Sequence, residues 1–82
     1  MKIGVLKAVA DDTRFEMLKK MSKGEICACE LPDIVKKTQP AVSQHLKVLF
    51  EAGLVQKRKE GAKRVYSLSN KGARVLKDVS RW

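Results

Sequence analysis

Eighty-two residues make one small domain spanning positions 1–82 and leave little room for a deep substrate cleft. Charged residues at 33% and apolar residues at 44% exclude a disordered tail, and no apolar run approaches the roughly 20 residues needed to cross a bilayer. The net charge of +9 is lopsided: residues 1–35 carry six bases and six acids, whereas residues 36–82 carry twelve bases against Glu51, Glu60 and Asp78. A polyanion suits such a surface, because neutralised phosphates release condensed counterions. The plainer alternative is a solvated basic face. The start, Met1-Lys2-Ile3-Gly4, has no signal-peptide core, and no broad Trp/Phe face opposes the bases, so a cytoplasmic protein that does not bind membranes is expected.

In chain order, Ile3, Leu6 and Val9–Ala10 mark one face of a short helix. Asp11-Asp12-Thr13 supplies cap chemistry, with Glu16 in capping-box position after Thr13. The helix that follows turns Phe15, Leu18 and Met21–Ser22 to one side and Arg14, Lys19 and Lys20 to water, and stops at Lys23-Gly24. Glu25–Cys29 is short and extended. A helix over about Glu30–Lys37 tolerates Pro32 only in its first turn. Thr38 then caps a helix running to Ala52, with Ala41–Val42, Leu46 and Leu49–Phe50 inward and Gln39, Ser43, Gln44, Lys47 and Glu51 outward. Leu54–Lys59 and Lys63–Leu68 read as strands around the Glu60-Gly61 turn, and Ser69-Asn70 opens a terminal helix ending at Trp82.

This order gives a mainly α fold with a small β-hairpin, a winged helix-turn-helix. A helix fits the DNA major groove with its N-terminal residues at the base edges, so the helix capped by Thr38 is the expected reading element. Gln39 and Gln44 have the amides for bidentate bonding to adenine, while Ser43 and Lys47 suit bases or phosphate. His45 either bonds a phosphate or sits half-buried at the helix margin. The plain reading of this stripe is a solvated helix face. The hairpin packs Lys57, Arg58, Lys59, Lys63 and Arg64 into eight positions, which suits the phosphate backbone or the minor groove; its plain reading is a charged edge guarded against aggregation. Arg58, Lys59, Lys63 and Arg64 join the candidate DNA contacts.

Cys27 and Cys29 form a Cys-x-Cys pair, a spacing too tight for an easy intrachain disulfide. A reducing compartment is therefore expected. Residues two apart on an extended segment project to the same side, and soft ions prefer sulfur. Two small buried hydrophobes, or a structural zinc site, are the competing readings.

The segments L-K-A-V-A-D-D-T-R-F-E-M-L (6–18), E-I-C-A-C-E-L (25–31), T-Q-P-A-V-S-Q-H-L-K-V-L (38–49), E-A-G-L-V (51–55) and R-V-Y-S-L (64–68) together resemble the ArsR family of arsenic- and metal-responsive winged-helix repressors. The resemblance implies a homodimeric repressor, paired through its first and last helices, whose affinity for a two-fold operator in double-stranded DNA falls when ligand binds. It also implies that Cys27 and Cys29 take a thiophilic effector: trivalent arsenic or antimony, or a soft divalent metal. No obligatory cofactor is expected. Two departures matter. Pro32 stands where arsenic-sensing members can carry a third cysteine, so a third ligand would come from the other subunit, a small thiol or solvent. The terminal helix offers only Asp78 and no His, so a second, zinc-binding site is not expected.

Three other functions compete. The thiols could answer oxidants, by linking subunits. A winged helix could bind DNA with no ligand at all. A thiol enzyme is disfavoured, because there is no Cys-x-x-Cys motif and the one His has no obvious acid partner.

Overall fold

The computed structural model describes residues 3–79, and only the backbone of Ile3. Its elements are α1 (Ile3–Val9), α2 (Asp12–Met21), β1 (Ile26–Cys27), α3 (Leu31–Val35), α4 (Gln39–Glu51), β2 (Val55–Glu60), β3 (Lys63–Leu68) and α5 (Asn70–Val79). This is the winged helix-turn-helix order expected from the sequence. Ser80, Arg81 and Trp82, onto which the last helix was expected to continue, lie outside the described residues.

Of the stripe expected on α1, Val9 is buried but Leu6 and Ala10 are not, and the Ile3 side chain lies outside the described residues. Val5, Ala8 and Val9 are buried, while Leu6 is 36% exposed and Ala10 faces water. Asp11 rather than Thr13 caps α2, because its extended backbone aims the carboxylate at the Arg14 N–H, 3.0 Å away. Met17, Leu18 and Met21 of α2 enter the core; Phe15 is half-buried and Ser22 exposed.

Helix α3 is shorter than expected. Lys36 adopts the left-handed conformation (φ 56°, ψ 49°), which ends the helix and delivers the chain to Thr38. The Thr38 hydroxyl accepts the Ala41 N–H at 3.4 Å and caps α4. Val42, Leu46 and Leu49 anchor α4 in the core, but Phe50, expected on the same stripe, is 43% exposed. It stacks under the Lys57 ammonium, 4.3 Å from the ring centroid.

The sheet has three strands, not two, in the order β1-β3-β2, all neighbours antiparallel. Only Ile26 and Cys27 of the extended segment join it, opposite Tyr66 and Val65. Val65 and Tyr66 are both buried, although successive residues of a strand point to opposite faces. The cause is cover on both faces: Tyr66 belongs to the main core, whereas Val65 lies beside buried Cys27 on the other side. Beyond Val55 every residue of β2 is exposed, so the hairpin projects from the body as a wing. Gly61 (φ 62°) makes the tight turn at its tip.

Helix α5 is tied down at its start. The Ser69 hydroxyl donates to the Gly53 carbonyl at 2.6 Å and accepts the Gly72 N–H at 2.9 Å. Gly72 is buried against Leu54, leaving no space for a side chain. Val75 and Leu76 are buried in the chain's own core. Among the described residues no helix is long and apolar enough to cross a membrane.

Candidate nucleic-acid interface and thiol pair

The outer stripe of α4 follows from its buried one. With Val42, Leu46 and Leu49 inward, helical geometry turns Gln39, Ser43, Gln44 and Lys47 out, and all four are exposed. Thr38 is also exposed, but its hydroxyl is engaged in the cap. Lys36 and Lys37, exposed in the turn before α4, put two further cations beside its N-terminus.

His45 takes the half-buried position. Its Nδ1 lies 3.2 Å from Arg14 Nη1, while Arg14 Nε donates to the Ala8 carbonyl at 2.8 Å and Nη2 to the Lys7 carbonyl at 3.0 Å. Arg14, expected to point to water, instead joins the end of α1 to the middle of α4. It satisfies helix-end carbonyls that lack intrahelical partners.

Strand alternation sorts the wing's charges, which the sequence presents as one cluster. Lys57 pairs with Tyr66 and Lys59 with Arg64, so these residues share the face that looks toward α4. Gln39, Ser43, Lys47, Lys57 and Arg64 line one groove of about 530 Å³ between α4 and the wing. Lys57, named in the hairpin's basic run but not among the candidate DNA contacts, lines this groove as well; its place within that run was the available signal.

Arg58 and Lys63 occupy the other face, with Val65 and Cys27. Arg58 makes a two-point ion pair with Glu25, Nε to Oε2 at 2.8 Å and Nη2 to Oε1 at 2.9 Å, and its Nη1 meets Glu60 Oε2 at 2.8 Å. The hydrogen bonds from Arg58 hold the Glu25 carboxyl below the usual carboxylate range, and both acids hold the guanidinium more firmly protonated. Among the described residues, Lys57, Lys59, Lys63 and Arg64 form no salt bridge.

The thiol pair lies where β1 leaves the sheet. The expected extended run to Cys29 gives way to a turn at Ala28–Glu30, in which the Glu30 N–H reaches the Cys27 carbonyl at 2.9 Å. That turn brings the two sulfurs together as an intrachain disulfide, with Cα atoms 5.2 Å apart. The spacing was expected to make this bond difficult; a turn closes a gap that an extended strand leaves open. Cys27 is buried and Cys29 exposed, and the Cys29 N–H points at Cys27 Sγ at 3.3 Å. Among the described residues no cluster of three or more His, Cys, Asp or Glu side chains could hold a metal ion. The pair is wired to the wing: Cys27 sits opposite Val65, and the Ala28 N–H donates to the Arg64 carbonyl at 2.9 Å.

Residues 11–57 match the family model of the bacterial regulatory protein, arsR family. The chain is 41% identical over 66 residues to the arsenical resistance operon repressor of Staphylococcus xylosus, covering 80% of this chain but only 64% of that protein. Among solved structures, HlyU from Vibrio cholerae superposes with a TM-score of 0.86 at 32% identity, covering 96% of this chain and 87% of that one. The homodimeric winged helix-turn-helix DNA-binding domain Mb0332 from Mycobacterium bovis superposes at 0.87 with 27% identity, covering 94% and 72%. The matched family is one of regulatory proteins, the Staphylococcus xylosus relative is an operon repressor, and the Mycobacterium bovis neighbour is a DNA-binding domain.

Proposed function

This chain belongs to the arsR family of bacterial regulatory proteins, and on that premise we propose that it is a cytoplasmic, homodimeric transcriptional repressor whose grip on operator DNA is loosened by arsenite at Cys27 and Cys29. One observation carries this reading: the outer stripe of α4 and the basic face of the wing line one groove, and the thiol segment is hydrogen-bonded to that wing. Gln39, Ser43, Gln44 and Lys47 read or flank the bases, Thr38 holds the helix start, and Lys57, Lys59, Lys63 and Arg64 grip phosphate. His45 acts through its bond to Arg14, as a positioning residue.

Two reduced thiols condense with As(OH)3, releasing two waters and leaving two As–S bonds and one hydroxyl. The hydroxyl stays as the third ligand or leaves as water when a small thiol or a thiol of the partner subunit takes its place, since Pro32 supplies no sulfur. Antimonite or a soft divalent ion would use the same sulfurs. The ligand then re-shapes the turn that holds the wing strand at Val65 and Arg64.

The test is fluorescence anisotropy of the reduced protein on the duplex upstream of its own gene. The expected result is salt-sensitive binding, released by near-stoichiometric arsenite in wild type but not in the double variant Cys27→Ser/Cys29→Ser. Release of both proteins alike would remove the thiols from the mechanism.

A second reading, a repressor that answers oxidants, is favoured by the pairing of the two sulfurs within one chain. Hydrogen peroxide would take two protons and two electrons from the thiols, leaving the disulfide and two waters. A monothiol reductant reverses this change; dislodging arsenic calls for a chelating dithiol.

A further inference from the structure

We propose that Glu25, assisted by Glu60, sets the strength of DNA binding by competing with phosphate for Arg58; the inference rests on the DNA-reading function above. A guanidinium presents the same planar fork to carboxylate and phosphate, so either ligand fits the donors that Glu25 now occupies at 2.8 and 2.9 Å. The exchange is open to solvent: the Arg58 and Glu25 side chains are 51% and 46% exposed. Exposed ion pairs are weak in net terms, whereas a phosphate of a polyanion also releases counterions when paired.

The placement is specific. Arg58 stands opposite Val65, and Glu25 immediately precedes β1, so the pair reaches across the central strand and ties the two outer strands together. Of the five bases in the wing, Arg58 alone among the described residues is matched to acids, and it is matched to two. The wing therefore offers DNA less charge than its sequence suggests, and Glu25 holds the difference.

The experiment compares wild type, Glu25→Gln, Arg58→Gln and the double variant, all full-length and reduced, on the same duplex across salt from about 50 to 200 mM. Glu25→Gln is expected to bind roughly three- to eightfold more tightly near 0.1 M salt, with the log–log salt slope steeper by up to about one per chain. Arg58→Gln should bind more weakly than wild type with a shallower slope, and the double variant should match Arg58→Gln. An unchanged slope or weaker binding for Glu25→Gln overturns the competition while leaving DNA binding intact. Failure of wild type to bind overturns the DNA-reading function itself. Should Glu25→Gln fail to fold by circular dichroism, the Arg58 Nε–H resonance of wild type decides. It must move when duplex is added, and a stationary resonance overturns the proposal.

Discussion

Asp11 places its carboxylate 3.0 Å from the Arg14 N–H, and that hydrogen bond holds its pKa below the ordinary 3.8. A folded-state value below the unfolded one means that the cap's charge stabilises the fold above about pH 4 and is lost as pH falls through the lowered value. Asp11→Ala is expected to cost about 1 kcal/mol near neutral pH by urea unfolding. The gap from wild type should narrow as the pH drops below that range, and a gap that persists in acid would remove the charge from the account. Arg14 shows what sequence could not reveal at this scale. Helical spacing alone lets its side chain point to water, but Lys7, Ala8 and His45 become neighbours only once α1 and α4 have packed. His45 was legible as a choice between two roles, and only the packed chain brings the Arg14 guanidinium to 3.2 Å from its ring.

Among the elements, α4 was the most legible: Thr38, the first-turn Pro40 and the stripe of Val42, Leu46 and Leu49 settle its start and its buried side. The approach of α5 to the body was not. At Gly72 an added methyl would collide with the Leu54 carbonyl, whose carbon would lie only 2.9 Å from it. Gly72→Ala is therefore expected to destabilise by about 1–3 kcal/mol, despite the better helix propensity of alanine. Gly4 on α1 has open space around it, so Gly4→Ala is the control, expected to be neutral or to stabilise by about 0.5 kcal/mol. Thermal melts of the two variants decide; equal shifts would show that helix propensity, not the close approach to Leu54, governs both positions.

For the whole molecule, the proposed dimer is the part most altered by the fold. Val75 and Leu76 belong to the last helix, through which pairing is expected, yet both lie in the core of one chain; among the described side chains of α1, Leu6 is 36% exposed. Leu6 is already about two-thirds covered, so burying the remainder against a second copy is worth about 0.5–1 kcal/mol per chain, and Leu6→Glu should weaken self-association without unfolding the monomer. Sedimentation equilibrium is expected to show the 9.2 kDa chain doubling in mass as concentration rises, and doubling only at higher concentration in the variant. A mass fixed at the monomer value at every concentration would eliminate the dimer. A dimer would also present its two recognition helices to half-sites about 34 Å apart, or a multiple of that spacing.

Local chemistry settles the order of helices and strands, helix α4 with its outward Gln39, Ser43, Gln44 and Lys47, the basic wing and the nearness of the two cysteines in sequence. Each of these depends on periodicity, caps and turn residues acting over a few positions, so the chain can be read for them directly. Long-range packing chooses which stripe of α1 is buried, brings β1 into the sheet, closes Cys27 onto Cys29 through a turn, and sorts which wing bases face α4. The reason is the same in each case. Two stripes can share one period, and five bases can share one hairpin, until contacts between residues distant in the chain choose among them. The bond from Arg58 to Glu25, thirty-three positions away, is the clearest instance.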